Sequence, residues 1–270
     1  VTPVISIIAP LWNENPNVLP LAERVFQAFA GEKRAIELIL VDDASTDGTW
    51  EKILEAHSGD GRVRPVRHVK QSGQSAALCT GFKVSRGEII ATLDGDLQND
   101  PADFPRMLSA LQDNDMVCGV RMRRMDTWVR RVSSKIARAA RKIMLGTDFR
   151  DTGCNLRVFR REIVEMVPQF NGLHRFMPIL AHGMGARVEE ISVTHHPRVA
   201  GKSKYGVWNR LGRGLYDLMA IRWFLKRQVH TVKYIEHKSE RALPKTAEFP
   251  HNRAAESRPA PEATKLSTKQ

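Results

Sequence analysis

Ile89-Ile90-Ala91-Thr92-Leu93-Asp94-Gly95-Asp96 is the stretch from which the rest of the chain can be read. The apolar run over 89–93 predicts a buried strand over 88–93, and two carboxylates one residue apart stand just beyond its end. The same pattern recurs on the N-terminal side. Residues 4–9 and 36–41 are predicted strands with β-branched, largely uncharged composition, and 62–69 is a third. Helical periodicity over 17–29, a helix ending at Ala56 and capped by Ser45 or Asp47, and a helix over 75–84 fill the intervals. Pro101 opens a further helix to residue 111, in the first turn where proline is tolerated. Residues 115–119 give a short fifth strand. This rhythm predicts an α/β fold with a mostly parallel sheet and helices on both faces.

In such sheets ligands bind beyond the carboxyl ends of the strands. Polar clusters stand at four of those ends: Pro10-Leu11-Trp12-Asn13-Glu14, Asp42-Asp43, Lys70-Gln71-Ser72-Gly73-Gln74 and Asp94-Gly95-Asp96. Four in register converge on one site. A dinucleotide-binding fold would need glycines at the first strand–helix turn, where this chain has Trp12, Asn13 and Glu14. The P-loop pattern is also missing. Hard oxygen donors at Asp94 and Asp96, with Gln98 as another oxygen, suit magnesium or manganese on a diphosphate. Asp100-Pro101 already supplies the helix start, so the two acids before it are left for another task. Asp43 has two readings, an acceptor for a base or ribose and a cap for its own turn.

Beyond residue 120 the alternation loosens. Residues 127–145 read as a basic helix or helix pair, 155–159 as a strand, 173–182 as a helix and 187–195 as a strand. Residues 207–226 form the longest late helix. Its apolar stripe is Trp208, Leu211, Leu215, Leu218 and Leu225, with Arg210, Arg213, Arg222, Lys226 and Arg227 among them. After about residue 236, prolines punctuate a polar tail that reads as disordered. The expected organisation is a catalytic domain over 1–206, an amphipathic helical segment over 207–235 and a tail over 236–270.

The 270 residues, 42% of them hydrophobic, allow one large domain or a domain with a small appendage. No run of about 18 uncharged apolar residues predicts a transmembrane helix, and the first residues lack a signal-peptide layout. Three dispersed cysteines argue against a disulfide framework and fit a reducing cytosol. The net charge of +12 calls for an anionic partner. Cations concentrate over 121–142, which carries one acid, Asp126, and again over 198–233 among aromatic residues. A nucleic-acid-binding module would explain the charge but not the carboxylates at the strand ends, so no nucleic-acid partner is expected.

Three later segments can also carry chemistry. In Asp151-Thr152-Gly153-Cys154-Asn155-Leu156-Arg157, Asp151 can position or deprotonate an acceptor, or pair with Arg150 or Arg157, and Arg157 can hold a phosphate. His174 and Arg175 can reach an acceptor, or His174 is a partly buried polar residue. The loop from Arg198 through Lys202, Ser203 and Lys204 can clamp phosphate oxygens or be an exposed basic loop. His195-His196 shows no zinc pattern.

These segments together resemble glycosyltransferase family 2, most closely its polyprenyl-phosphate and dolichyl-phosphate sugar synthases. The resemblance rests on Pro10-Leu-Trp-Asn-Glu-Asn, Val41-Asp-Asp-Ala-Ser-Thr-Asp-Gly-Thr, Gly73-Gln-Ser-Ala-Ala-Leu, Asp94-Gly-Asp-Leu-Gln, Asp151-Thr-Gly-Cys-Asn-Leu-Arg and Gly201-Lys-Ser-Lys-Tyr-Gly, across residues 4–233. It implies a GT-A fold and inverting transfer of a hexose from a UDP- or GDP-sugar to a polyprenyl monophosphate. It implies a donor pocket of Pro10, Asn13, Glu14, Asp43, Gly73 and Asp94, and a Mg2+ or Mn2+ held by Asp94, Asp96 and Gln98. It implies that Arg121 and Arg131 approach phosphates, that Ser134 assists the acceptor, and that Arg198, Ser203 and Lys204 belong to a closing loop. It also places Asp151 where relatives have an aspartate discussed as a base. Because a phosphate monoester is already largely ionised near pH 7, Asp151 is expected to position more than to deprotonate. Family 2 transfer to a hydroxyl of a glycan, glycerolipid or small molecule is the alternative. Many relatives carry a C-terminal membrane domain. Here the late helix is expected either to lie on an anionic membrane surface, at the inner face of the cell membrane, or to pack on the catalytic domain. A membrane partner protein delivering the lipid and a homo-oligomer remain open.

Overall fold

The computed structural model describes residues 4–121, 138–139, 141–197 and 208–227. Among them seven strands form one sheet: β1 (Val4–Leu11), β2 (Ala35–Asp42), β3 (Val63–Arg67), β4 (Ile89–Thr92), β5 (Met116–Arg121), β6 (Arg157–Arg160) and β7 (Val188–Val193). Their order across the sheet is β3-β2-β1-β4-β6-β5-β7. The neighbours are parallel except at β6, which runs antiparallel to both β4 and β5. The helices are α1 (Val18–Ala28), α2 (Thr49–Gly59), α3 (Gln74–Val84), α4 (Phe104–Ala110), α5 (Glu162–Met166), α6 (Leu173–Gly183) and α7 (Trp208–Arg227).

The two-residue period of the strands divides the core into two layers. Ile5, Ile7, Ala9, Leu11, Leu38 and Leu40 face one side and pack with Val18, Leu21 and Val25 of α1, Ile53 of α2, and Phe104 and Met107 of α4. Ile8, Ile39, Val41 and Ile90 face the other side, where Leu78 and Phe82 of α3, Phe176 and Ile179 of α6, and Leu218 and Ile221 of α7 cover them. Burial on both faces is why the strands read as uncharged runs rather than as alternating ones.

The expected elements are found, with shifted ends. β1 continues two residues further, to Leu11, and Pro10 stays in register with Val41 of β2. The β4 neighbour pairs with β1 only as far as Ile8, so Pro10 stands where one side of the strand is already open, a position that proline tolerates. Pro101 begins a 3-10 turn whose first N–H groups are capped by Asp100, and α4 follows it. The short helix α5 was not expected. Of the basic segment 127–145, the described parts at 138–139 and 141–145 are helical and the rest lies outside the described residues. The antiparallel insertion of β6 was not foreseen either.

α7 falls within the compact unit that ends at Gln228. Leu218 and Ile221 are buried in the second core layer, and Asp217 forms an ion pair with Arg175 of α6 at 3.0 Å. The side chains of Trp208, Leu211 and Leu215, and the tail over 236–270, lie outside what is described.

The amino ends of the strands are locked by a buried acid. Glu37 accepts hydrogen bonds from Ser6 Oγ (2.6 Å), Arg64 Nη1 (2.6 Å) and the Arg86 N–H (2.7 Å). Arg64 also donates to the Val84 carbonyl, and the Gly87 N–H donates to Ser6 Oγ. β1, β2, β3 and the α3–β4 connection are thereby tied together. Burial opposes the Glu37 charge, but these hydrogen bonds outweigh it and hold its pKa below the ordinary carboxylate range. Glu37→Gln is expected to lower the unfolding free energy by about 2–4 kcal/mol near neutral pH, measured by urea titration. A depressed carboxylate contributes stability above its unfolded pKa and loses it as pH falls through its folded pKa. The gap between variant and wild type should therefore narrow in acid.

Candidate active site

β1 lies at the point where the chain order reverses, with β2 and β3 on one side and β4 on the other. The ends of β1 and β4 therefore open the crevice in which α/β sheets bind ligands. Three residues other than glycine have positive φ among the described residues: Asn13 (53°), Ala44 (57°) and Leu97 (59°). They lie in the loops after β1, β2 and β4. Each holds a conformation costing about 1–2 kcal/mol for an L-residue, so the strain is concentrated at this one edge.

The loops after β1 and β2 are stitched together. The Asn13 N–H donates to Ser45 Oγ, the Thr46 N–H to Asn13 Oδ1, the Glu14 N–H to Thr49 Oγ1 and the Asn15 N–H to Asp47 Oδ2. Glu14 also accepts from Asn17 Nδ2 at 2.6 Å. Asp43, expected in the donor pocket, makes hydrogen bonds within the protein. Its Oδ1 meets His68 Nδ1 at 2.8 Å and the Ser72 N–H at 2.8 Å, and its Oδ2 accepts the Gly73 N–H at 2.7 Å. The carboxylate is buried and spent on shaping the 72–73 turn, in which Gly73 takes φ +91°.

The Asp94-Gly95-Asp96 loop presses on the end of β1. A Cβ on Gly95 would lie 2.3 Å from Leu11 Cδ2 and 3.1 Å from the Pro10 carbonyl oxygen, so only glycine fits. Three carboxamides surround Asp94: Gln74 Nε2 at 2.8 Å and Asn155 Nδ2 at 3.2 Å from Oδ1, and Asn99 Nδ2 at 3.4 Å from Oδ2. Burial, and secondly the charge of Asp96, push the Asp94 pKa up to about 6. Asp96 is buried and accepts the Gln98 N–H at 3.2 Å. The end of β7 docks on this loop. Asn99 and His195 form a β-bridge, the His196 N–H donates to the Gln98 carbonyl at 2.8 Å, and the His196 ring meets Asp100 at 2.9 Å.

On the far side of β4, Asp151 forms a two-pronged ion pair with Arg121, Nε to Oδ2 at 2.7 Å and Nη2 to Oδ1 at 2.8 Å. Neither partner expected for Asp151 takes this place. Arg150 instead pairs with Glu190, and Arg157 is 1% exposed in the core with Nη2 on the carbonyls of Thr152 and His174. Arg157, expected to hold a phosphate, is thus bonded to main-chain carbonyls inside the protein. His174 Nδ1 meets Ser75 Oγ at 2.7 Å. Burial, followed by the charges of Arg175 and Arg157, pushes its pKa down to about 4, which makes it neutral near pH 7. Arg175 is held by Asp217. Arg131, Ser134, Arg198, Ser203 and Lys204 lie outside the described residues.

Sequence reasoning gave no role to Asn99, Asn155, His68 or Glu190, and it set aside His195 and His196. Gln74 and Asn155 were inside quoted motifs. Nothing local marks Glu190, an acid on an edge strand.

A sequence model described as Glycosyl transferase family 2 matches residues 6–167. The chain belongs to glycosyltransferase family 2. It is a nucleotide-sugar-dependent glycosyltransferase of the inverting kind, related to the polyprenyl-phosphate sugar synthases. It is 38% identical over 231 residues to a dodecaprenyl-phosphate galacturonate synthase of Rhizobium johnstonii, covering 82% of this chain and 67% of that protein. It is 35% identical over 218 residues to an undecaprenyl-phosphate 4-deoxy-4-formamido-L-arabinose transferase of Aeromonas hydrophila, covering 80% and 67%. The glycosyltransferase chain thus spans about two thirds of the length of these relatives. Among solved structures, it is similar to glucosyl-3-phosphoglycerate synthase from Mycobacterium tuberculosis in complex with Mn2+, UDP and glucosyl-3-phosphoglycerate. The TM-score is 0.62 at 17% identity, over 83% of this chain and 80% of that one. That likeness establishes the GT-A-like fold.

No group of three His, Cys, Asp or Glu side chains able to hold a metal is found among the described residues. The oxygen donors gathered in the loop after β4 are two neighbouring carboxylates, Asp94 and Asp96. This fits a magnesium-like ion, which takes one or two carboxylates and completes its shell with phosphate oxygens and water.

The raised pKa of Asp94 has a measurable consequence. A carboxyl whose folded pKa exceeds its unfolded value near 3.8 contributes stability below that value and loses it as pH rises to about 6. In ligand-free protein without divalent ions, Asp94→Asn should therefore gain melting temperature relative to wild type on going from about pH 5 to about pH 7. A constant offset across that window would show that Asp94 titrates normally.

Proposed function

We propose that the enzyme transfers a hexose from a UDP- or GDP-sugar to a polyprenyl monophosphate with inversion at the anomeric carbon. The observation that supports this most is the pairing of a half-buried carboxylate, Asp94, with a buried one, Asp96, at the β1/β4 switch point, with the charge of Arg121 acting on Asp94. The relatives named as polyprenyl-phosphate sugar synthases and transferases favour a lipid phosphate over a hydroxyl acceptor.

In this reading the nucleoside lies over the ends of β1 and β2, against Pro10, Asn13 and Glu14. Asp96, with Gln98 and Asp94 beside it, would hold Mg2+ or Mn2+, which when bound neutralises charge on the leaving diphosphate. The carboxamides of Gln74, Asn99 and Asn155 fix Asp94, so the acidic pair is oriented before substrate arrives. Arg121 offers a directional donor for a phosphate oxygen. The acceptor phosphate attacks the anomeric carbon from the face opposite the diphosphate. Its second pKa is near 6, so it is ionised at about pH 7 without a protein base.

α7 supplies the surface for a lipid substrate. Leu218 and Ile221 face the core, whereas Tyr216 is 75% and Trp223 62% exposed, with Met219 between them. These three residues share one helical face at spacings of three and four, bordered by Arg222, Lys226 and Arg227. Aromatic and apolar residues flanked by cations suit the headgroup boundary of an anionic membrane. No helix among the described residues is long and apolar enough to cross a bilayer.

The deciding assay incubates radiolabelled UDP-glucose, UDP-galacturonate and GDP-mannose separately with undecaprenyl phosphate and Mg2+ or Mn2+. A metal-dependent, mild-acid-labile lipid product is expected, reduced by about 100-fold or more in Asp96→Ala. Nucleotide-sugar binding without lipid product would move the acceptor to a hydroxyl. A folded protein that binds no nucleotide sugar would remove the donor site. In a second measurement, Tyr216→Ser/Trp223→Ser should lose most of its sedimentation with phosphatidylglycerol vesicles while keeping its fold. Unchanged sedimentation would exclude α7 as the contact.

A further inference from the structure

The Asp151 carboxylate is saturated by the protein. Its Oδ2 accepts the Arg121 Nε–H (2.7 Å) and the Arg121 main-chain N–H (3.3 Å), and its Oδ1 accepts the Arg121 Nη2–H (2.8 Å) and the Gly153 N–H (3.3 Å). Four donors match the roughly four lone-pair sites that a carboxylate has. A group in this state has no free lone pair with which to take a proton from an acceptor.

The Arg121 guanidinium is engaged along one edge only. Nε and Nη2 face Asp151, and among the described residues nothing is bonded to Nη1. The Nη1–Nη2 edge is thus a second fork of the shape that phosphate accepts. The side chain is 16% exposed and sits at the carboxyl end of β5. The Asp94 and Arg121 charges act on each other, so the Arg121 side chain lies near the candidate site.

Behind Asp151 stands Glu190, on β7 and in register with Cys118 of β5. Its carboxylate accepts the Arg150 N–H at 2.9 Å and 3.0 Å and the Asp151 N–H at 3.2 Å, with Arg150 Nε at 3.4 Å. Glu190 fixes the backbone that carries Asp151, and Asp151 fixes the plane of Arg121.

We propose that Glu190 and Asp151 are positioning residues that hold Arg121 by one edge and present its other edge to an anionic phosphate oxygen of donor or acceptor. The proposal rests on the glycosyl-transfer reading for its substrates, but its central claim concerns anion binding and can be tested without turnover.

Wild type, Asp151→Asn, Glu190→Gln, Arg121→Lys and the Arg121→Lys/Asp151→Asn double variant are compared, with melting curves confirming the fold. Titration calorimetry measures affinity for UDP with Mg2+ and, separately, for inorganic phosphate. Each single variant is expected to weaken one of the two anions by about 10-fold or more. Loss confined to UDP assigns the edge to the donor, and loss confined to phosphate assigns it to the acceptor. Asp151→Asn should add little on the Arg121→Lys background, because both act on one contact. In lipid-phosphate transfer, Asp151→Asn should raise KM, leave kcat within about 3-fold, and keep both limbs of the pH profile.

The proposal is overturned if Asp151→Asn abolishes kcat with both anion affinities intact, if it removes a limb of the pH profile, or if the two substitutions multiply. Should wild type make no lipid product, the acceptor reading fails alone. Unchanged affinity for both anions in folded Asp151→Asn and Arg121→Lys would then overturn the positioning proposal.

Discussion

The loop carrying Asp94 and Asp96 lies against the end of β1 at a distance that admits no side chain at position 95. Leu11 and the Pro10 carbonyl occupy the place of a Cβ there. That contact brings the first and fourth strand ends together and fixes the floor of the crevice. The β1–β4 pairing stops at Ile8, and the two chains remain in contact beyond it through this packing instead of a ladder.

The rest of the site manages the charge gathered on that floor. Asp94 is costly to ionise, and three carboxamides hold it without adding a cation. Asp42, Asp43 and Asp151 are treated differently. Asp42 accepts the Ser45 N–H and pairs with Arg67, Asp43 takes two backbone N–H groups and His68, and Asp151 takes Arg121. These acids are neutralised inside the protein and serve as joints between loops. Asp94 and Asp96 instead stand side by side in the loop that packs on the end of β1. Chemically identical side chains thus differ by what packs against them.

α7 has two unlike faces. Its inner residues Leu218 and Ile221 belong to the same core layer as α3 and α6, and Asp217 ties it to Arg175. Its outer face keeps Tyr216, Met219 and Trp223 in solvent. Packing on the domain and lying on a membrane are therefore compatible for this helix, since they use different faces.

The sequence alone determined the order of strands and helices, because parallel strands buried on both faces leave uncharged runs, and amphipathic helices leave a 3.6-residue period. It also marked Asp94 and Asp96, since two acids straight after a buried run stand out locally. Tertiary structure alone decided which acids are spent on contacts within the protein. Asp43 and Asp151 read from the sequence like site carboxylates, yet their hydrogen-bond capacity is taken by residues 25 to 30 positions away. It likewise buried Arg157, made His174 a neutral packing group, inserted β6 antiparallel, and recruited Glu190 from the edge strand. Hydrophobic periodicity is written in neighbouring residues, whereas the saturation of a carboxylate depends on donors that only the folded chain brings within 3 Å.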